Sequence, residues 1–319
     1  MQRRTFNFAV AASLATPIVG AQNLPTGPVR IVVGFPPGGG TDAVARVLAQ
    51  KLAVLWNTPV LVENKAGAAG VIAAEYVVKQ PADGTTLLMA NFSSHAVAPG
   101  LYPKLGYSVR DFTPIALVGI TPNVLICREG QTAKTLKEVI ALCKSKPGQI
   151  SFGSAGQGSA QHLALEMFKL RAKLDALHVP YKGSGPMLTD LLGGQIDYSF
   201  ETMSSAVQHV KQGRLVAIAQ TSSKRSKQFA DVPTIAELGF PGFQAATWYG
   251  LVGPGKLPRA MAQRMNEDIN QVMVMPDVAE KLDGYSAEGG GGTMQKFADF
   301  MAEEQTRWAK VIKDAKVTL

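Results

Sequence analysis

Hydrophobic residues follow two alternating spacings along most of the chain. Short runs rich in Val, Ile and Leu are each followed by a longer segment in which apolar residues recur every three or four positions. The first spacing is typical of buried strands and the second of amphipathic helices. The strand-like runs span residues 29–33, 60–62, 86–89, 124–126, 150–152 and 215–218.

The helix-like segments also have recognisable starts and faces. The first follows a Gly- and Pro-rich loop, and we predict that Thr41 or Asp42 caps its N-terminus. Beyond residue 258 the pattern is mainly helical. One apolar face of that region is formed by Phe297, Phe300, Met301, Trp308 and Ile312.

Strands that alternate with helices predict an α/β fold in which mostly parallel sheets are flanked by helices. A single sheet would be very large, so we expect a two-lobed fold in which two hinge crossovers join the lobes. The extended stretches 116–127 and 245–254 are the predicted crossovers. Lobe 1 is predicted to comprise residues 22–121 and 250–319, and lobe 2 residues 122–249.

The N-terminus has the layout of a secretory signal peptide. Arg3 and Arg4 precede an apolar stretch that ends in small residues at 19–21. The stretch is shorter than the roughly 18 residues that span a bilayer. We predict that residues 1–21 are removed on export, leaving a soluble periplasmic protein, and the choice between Sec and twin-arginine export stays open.

Charge and cysteine usage exclude several other classes. The formal net charge is +8, but the densest basic group, Lys224, Arg225 and Lys227, has no interleaved aromatic residue, so we predict a solvated loop and no nucleic-acid partner. The two cysteines, Cys127 and Cys143, lack the spacing of a metal or redox site. They are either a disulfide or two separate buried thiols, and the sequence leaves both open.

Four loops that each lead from a strand to a helix are rich in Gly, Ser and Thr. They span residues 35–42, 91–95, 153–159 and 181–186. A helix that begins in such a loop directs unpaired N–H groups and the positive end of its dipole toward the loop, which favours an anion. One such loop is equally well explained as an ordinary turn. Four of them, divided between two lobes, predict a cleft that binds a carboxylate.

The sequence lacks the signatures of the common enzyme classes. The first loop is not a dinucleotide fingerprint, and neither a P-loop nor a hydrolase nucleophile elbow occurs. The four His residues are not spaced for zinc. Ser159 and His162 are compatible with a nucleophile and base, but N-capping is the commoner role at a helix start. We therefore expect no catalytic residue, metal or cofactor.

Several motifs together resemble a known family, the tripartite tricarboxylate transporter receptors, also called Bug-type solute-binding proteins. The resemblance covers nearly the whole chain after the leader. Its motifs lie at residues 29–42, 81–84, 153–159, 162–163, 181–186, 191–197 and 231–234. It implies a Venus flytrap fold of the periplasmic-binding-protein type (type II-like) that delivers a small carboxylate to the permease subunits of a membrane transporter.

The resemblance also implies where the ligand binds. A ligand carboxylate is expected between the first Gly-rich loop and the Gly-Ser loop of the other lobe, with bridging water. The corresponding residues here are Phe35, Gly38, Gly39, Thr41, Ser154, Ala155, Gly156 and Ser159. The candidates for contact with the distal end of the ligand are Ser93, Ser94, Tyr181, Glu201 and Thr202.

Glu201 has two opposed interpretations. If its carboxylate faces the cleft, it disfavours a second ligand carboxylate and favours an amine or hydroxyl. Alternatively, it is a charge at the end of a strand that points to solvent.

The function that follows is that of an exported receptor for a dicarboxylate, tricarboxylate, amino acid or aromatic acid. Two alternatives stay open: a soluble sensor for a signalling system, and a hydrolase on the same scaffold that uses Ser159 and His162. The ligand and the oligomeric state are not determined by the sequence.

Overall fold

The computed structural model describes residues 24–318, so the predicted signal peptide at 1–21 lies outside the described residues. Each of the six strand-like runs lies in or overlaps a strand. The strands are β1 (Val29–Val33), β2 (Val60–Asn64), β3 (Thr86–Asn91), β4 (Phe112–Arg128), β5 (Ser151–Ser154), β6 (Leu177–Pro180), β7 (Tyr198–Thr202), β8 (Leu215–Gln220) and β9 (Ala246–Pro254).

Helices connect most consecutive strands, and three follow the last one. They are α1 (Gly40–Leu55), α2 (Val71–Val77), α3 (Ala98–Leu101), α4 (Leu136–Ser145), α5 (Ala160–Ala172), α6 (Ser184–Gly193), α7 (Met203–Lys211), α8 (Arg259–Met273), α9 (Pro276–Gly284) and α10 (Met294–Asp314). Across residues 24–318, no helix is both long enough and apolar enough to cross a bilayer.

The strands form one mixed sheet in the order β2-β1-β3-β9-β4-β7-β5-β6, with β8 also paired to β4. Strands joined through helices pair in parallel: β1 with β2 and β3, and β5 with β6 and β7. This follows because a helix returns the chain to the same edge from which it left. The α/β prediction is confirmed. We call the β1–β3 group lobe 1 and the β5–β8 group lobe 2.

β4 and β9 connect the two lobes. β4 pairs with β9 from Phe112 to Pro122 and with β7 from Asn123 onward, so one continuous strand passes from lobe 1 to lobe 2. β9 runs antiparallel beside it and pairs with β3 on its other side. Two adjacent crossovers are thus present, as predicted. The lobe boundaries at residues 121 and 250 stay a prediction.

The C-terminal helix packs through the apolar face that the sequence indicates. Phe297, Met301, Trp308 and Ile312 are buried, and Phe300 packs partly buried against the same core. The ring of Trp308 meets the ring of Phe92 edge-on at a centroid distance of 4.8 Å. α10 therefore anchors the end of the chain on the sheet.

The two cysteines are buried in this same core as free thiols. Burial raises the pKa of Cys127 and of Cys143 to about 11. Of the two alternatives left by the sequence, the structure shows separate thiols.

Candidate functional site

A cleft lies where four helix N-termini from the two lobes converge. α1 comes from lobe 1, and α5, α6 and α7 come from lobe 2. None of the residues that line the cleft is charged. The lining consists of Phe35, Pro36, Gly39, Gly40, Thr41, Asn91, Ser93, Ala155, Ala160, Gln161, Ser184, Gly185, Thr202, Thr247 and Tyr249.

The first loop leaves backbone donors free at the start of α1. Gly39 is the cap residue, has an extended backbone (φ −82°) and makes no side-chain capping bond. The prediction that Thr41 or Asp42 caps this helix is wrong, because both lie inside its first turn. Within residues 24–318, the N–H groups of Gly39 and Thr41 have no protein acceptor. They are the donors that an anion in the cleft needs.

Asp42 holds this loop in place from below. Its carboxylate accepts hydrogen bonds from Gly38 N–H at 3.0 Å, from the Arg46 guanidinium at 2.9 Å and from Asn64 Nδ2 at 2.9 Å. Burial by itself would raise the pKa of Asp42, but these hydrogen bonds hold it below its ordinary value. Gly38, with φ of +88°, therefore belongs to the supporting turn and does not line the cleft.

The Gly-Ser loop uses its hydroxyls to hold its own shape. Ser154 Oγ accepts from Gly156 N–H at 3.1 Å and lies 2.7 Å from His178 Nε2. Ser159 Oγ caps α5 by accepting from His162 N–H at 3.3 Å. Ala155 is the residue of this loop that lines the cleft. Ser159 thus has the capping role that the sequence favours over catalysis.

Two stacked imidazoles support this loop. The rings of His162 and His178 are nearly parallel, with centroids 4.0 Å apart. His162 Nδ1 accepts from Gly158 N–H at 3.1 Å. Burial lowers the pKa of His162 to about 3 and that of His178 to about 4, so both rings are neutral at pH 7. They therefore add no positive charge to the cleft.

Ser93 lines the cleft together with Asn91, whereas Ser94 lies behind it. Ser94 Oγ contacts Asn91 Oδ1 at 3.1 Å and His95 Nδ1 at 2.9 Å. Tyr181 Oη donates to Asp190 at 2.7 Å, and Tyr181 borders an adjoining groove with Gly156. Ser94 and Tyr181 are thus held close to the cleft without lining it.

Glu201 is fully buried beneath the cleft, so the alternative of a solvent-pointing charge is wrong. Its Oε1 accepts hydrogen bonds from Gln161 Nε2 (3.0 Å), Ser184 Oγ (3.0 Å) and Thr202 Oγ1 (2.8 Å), and from Thr202 N–H at 2.7 Å. Burial raises the pKa of Glu201 above its ordinary value, although these hydrogen bonds act in the opposite direction. The carboxyl group thus organises three residues of the cleft wall.

Six of the thirteen residues proposed from the sequence line the cleft, and the others lie in the supporting turns, at buried positions behind the cleft or in the adjoining groove. The lining six are Phe35, Gly39, Thr41, Ser93, Ala155 and Thr202. Sequence reasoning missed Gln161 and Ser184, which stand in the first turns of α5 and α6. It also missed Thr247 and Tyr249, although their alternation on β9 is a signal that both face one side.

Comparisons with known proteins place this geometry in context. Residues 44–317 match the model of a family described as tripartite tricarboxylate transporter family receptor. The protein BugT of Bordetella pertussis is 38% identical over 314 residues, which is 98% of this chain and 96% of that protein. A protein of Pseudomonas sp. (strain P51), from the tcbD-tcbE intergenic region, is 36% identical over 320 residues, or 99% of this chain and 95% of that protein.

Solved structures show the same fold. Rpa4515 of R. palustris with adipate has a TM-score of 0.90 and 32% identity, covering 93% of this chain and 99% of that one. The periplasmic binding protein BugD has a TM-score of 0.88 and 32% identity, covering 92% and 99%. MatC from Rhodopseudomonas palustris with bound malate has a TM-score of 0.85 and 32% identity, covering 91% and 100%.

Proposed function

The chain belongs to the tripartite tricarboxylate transporter receptor family, and on that premise we propose that it is a periplasmic receptor that captures a small carboxylate between its lobes. It delivers this solute to the membrane permease subunits of a tripartite transporter. The observation that carries the proposal is the convergence of four helix N-termini on a cleft lined only by uncharged residues.

Helix dipoles supply the attraction for the anion. The N-terminus of a helix carries about half a positive charge, together with unpaired N–H donors. Gly39 and Thr41 offer such donors at the start of α1, on the lobe 1 side of the cleft. Because no Lys or Arg lines the cleft, the ligand is held without a full counter-charge and can be released to a permease. The two similar structures that contain adipate and malate support a carboxylate as the ligand.

Ligand binding and lobe closure are linked in this proposal. α1 belongs to lobe 1 and α5, α6 and α7 to lobe 2, so the full set of N-termini surrounds a ligand only when the lobes are closed. A ligand that binds the closed state better shifts the population toward it. β4 and the chain entering β9 are the segments that flex, because β4 pairs with strands of both lobes and the chain returns to lobe 1 at β9. The role requires no catalytic residue, metal or cofactor.

Calorimetric titration and thermal shift of the protein lacking residues 1–21 test the proposal. The panel comprises citrate, malate, succinate, glutarate, adipate, glutamate, benzoate and 4-hydroxybenzoate, with phosphate and NAD as controls. A ligand that binds only the folded state raises the melting temperature. At a ligand concentration of 100 times Kd, it raises the free energy of unfolding by about 2.7 kcal/mol. At least one carboxylate is expected to bind. A response to phosphate or NAD alone contradicts the proposal.

A matched pair of glycine variants locates the binding. A Cβ at Gly39 would meet only Pro36 O, at 4.0 Å, and Gly39 lines the cleft, so we expect G39L to fill the cleft without straining the loop. Gly27, which also has open space beside it and lies outside the cleft, provides the control G27L. We expect G39L to abolish carboxylate binding and G27L to preserve it. Equal binding by both variants places the ligand elsewhere.

Delivery to a permease is a separate step and needs its own measurement. Uptake of the identified ligand by cells that lack this chain should be restored by the wild-type protein and not by G39L. The sensor alternative predicts that uptake persists without the chain while expression of ligand-responsive genes is lost.

A further inference from the structure

The side chain of Asn91 lines the cleft at the end of β3. Asn91 is the last residue of this strand and is 3% exposed. Its side-chain oxygen, Oδ1, accepts from Ser94 N–H at 3.1 Å and lies 3.1 Å from Ser94 Oγ. Across residues 24–318, the Nδ2 group of Asn91 has no protein acceptor. A buried amide that the protein pairs at one end has its other end available to a ligand.

Ser94 fixes which end of this amide faces the ligand. A backbone N–H can only donate, so the Asn91 atom that pairs with Ser94 N–H is the oxygen and not the nitrogen. Because Asn91 lines the cleft and Ser94 does not, the Nδ2 end of the planar amide is the end that faces the cleft. The hydroxyls of Thr41 and Ser93, which also line the cleft, can either donate or accept. Asn91, in contrast, presents a donor of fixed polarity.

The turn that carries Ser94 is itself held on two sides. Tyr107 Oη donates to Ser94 O, and His95 Nδ1 lies 2.9 Å from Ser94 Oγ. The ring of His95 is buried and packs against the ring of Phe112 at a centroid distance of 4.8 Å. Burial lowers the pKa of His95 to about 3, so this ring is neutral at pH 7. The amide of Asn91 is thus oriented before a ligand arrives, which reduces the conformational entropy lost on binding.

The Asn91 donor adds to backbone donors from both lobes. Within residues 24–318, the N–H groups of Gly39 and Thr41 in lobe 1, and of Gln161 and Gly185 in lobe 2, have no protein acceptor. A carboxylate oxygen has several lone pairs and accepts from such groups. A ligand ammonium group beside Asn91 Nδ2 would instead place two donors against each other. The lobe 1 side of the cleft therefore favours a ligand that presents an acceptor there.

We propose that Asn91 is a specificity-determining residue: its Nδ2 group donates to a carboxylate oxygen of the ligand and disfavours a ligand that places a hydrogen-bond donor there. This inference rests on the proposed receptor function and adds to it a lobe 1 side chain that recognises the anion. Hydrogen bonds to an ionised acceptor are about twice as strong as those between neutral groups. Loss of this donor is therefore expected to cost more affinity than loss of a neutral contact.

Two substitutions of Asn91 separate recognition of the ligand from support of the turn. N91D keeps an oxygen that accepts from Ser94 N–H and replaces the donor by a carboxylate oxygen, whereas N91A removes both. Calorimetric titration with the eight carboxylates of the panel, from citrate to 4-hydroxybenzoate, measures Kd. For each acid that binds the wild type, we expect N91A to weaken binding by about tenfold. N91D should weaken it by about a hundredfold or more, because charge repulsion adds to the lost hydrogen bond.

N57D is the matched control, because it makes the same charge change at an exposed position outside the cleft. It should bind as tightly as the wild type. If N91D binds as tightly as the wild type, or more tightly than N91A, the inference is overturned and the receptor function stands. An equal loss in N57D assigns the effect to net charge and overturns the inference as well. Failure of the wild type to bind any of the eight acids overturns both the inference and the proposed function.

A double-mutant cycle tests whether Ser94 positions Asn91. S94A removes the hydroxyl that contacts Oδ1 and changes no residue that lines the cleft, so it should weaken binding about threefold. In the N91A background it should have no further effect, because the amide that it orients is absent. Equal losses in both backgrounds overturn the positioning role. If N91D does not fold, N91A carries the test, and wild-type affinity in N91A overturns the inference.

Discussion

The backbone N–H of Gly40 donates a 3.1 Å hydrogen bond to Ser205 Oγ, although the two residues lie 165 positions apart. Gly40 begins α1 in lobe 1, and Ser205 stands in the first turns of α7 in lobe 2. The bond therefore joins the lobes beside the cleft. A side chain at position 40 would collide with Ser204 Oγ and Tyr249 Oη, which explains why glycine stands there. In the proposed receptor, this contact belongs to the closed state.

Removal of this bond should weaken ligand binding. In S205A the closed state loses one hydrogen bond that the open state lacks, worth about 0.5–1.5 kcal/mol, so Kd for the carboxylate should rise about two- to tenfold. Ser145, whose hydroxyl donates to Leu142 O at 2.9 Å within α4, provides the control S145A. Calorimetry should show an unchanged Kd for the control. An unchanged Kd in S205A would show that the bond does not favour closure.

Ligand affinity should depend more strongly on the contact between the loops that carry Pro36 and Gly183. A Cβ at Gly183 would lie 2.8 Å from Pro36 Cδ in the opposite lobe, and the φ of Gly183 is +112°. G183A therefore adds both backbone strain and an obstacle to closure, and ligand affinity should fall by about tenfold or more.

Gly239 separates the two effects in G183A. Its φ is +103°, but a Cβ there meets nothing within 4 Å. G239A should carry the same backbone strain, about 1–3 kcal/mol, and lower the melting temperature as much as G183A does while keeping normal affinity. Equal affinity losses in G183A and G239A would show that the contact with Pro36 does not limit closure.

Thr221 links both crossover strands, so loss of its hydroxyl should lower the stability of the protein. Its Oγ1 accepts from Asn123 N–H at 2.8 Å at the point where β4 changes lobes, and it also contacts Ala245 O next to β9. T221V keeps the shape but removes the hydrogen bonds of the hydroxyl, and Asn123 N–H keeps only a longer one to Ala245 O at 3.4 Å, so the free energy of unfolding should fall by about 1–3 kcal/mol. T221S keeps the hydroxyl and should lose less than about 1 kcal/mol. Urea denaturation measures both, and equal losses would contradict the role of the hydroxyl.

Acid should destabilise the protein through the stacked histidines. The pKa of His162 is about 3 and that of His178 about 4 in the folded state, below the ordinary value of 6.5. Below pH 6.5 the unfolded chain binds protons that the folded chain does not. The free energy of unfolding should therefore be level above pH 6.5 and fall toward pH 4, by up to about 1.4 kcal/mol per pH unit for each ring.

Comparison of wild type with H162F isolates this contribution. The raised pKa of Glu201 acts in the opposite direction, but it is common to both proteins. The stability advantage of the wild type at pH 7 should shrink as the pH falls to 4.5, measured by urea denaturation. H209F should show a smaller change, because His209 is only half-buried. Parallel pH curves for wild type and H162F would contradict the assignment.

The sequence by itself determined the elements and their order. A run such as Val29–Val33 favours a buried strand, because four of its five residues are β-branched and Pro and Gly bound it. The apolar face of α10 was equally readable, since Phe297, Met301 and Trp308 recur at helical spacing. Local signals of this kind depend on neighbours a few positions away. The family resemblance rested on such signals too.

Only the tertiary structure decided how these elements meet. Glu201 turns inward, and its Oε1 accepts hydrogen bonds from both Gln161 and Ser184. These contacts join residues that lie 40 and 17 positions apart in the sequence. The hydrogen bond between Gly40 and Ser205 could not be predicted either. Sequence spacing does not indicate which helix N-termini come together in the fold. Hydrogen-bond direction in a buried cluster is set by the complete set of partners, and that set exists only in the folded protein.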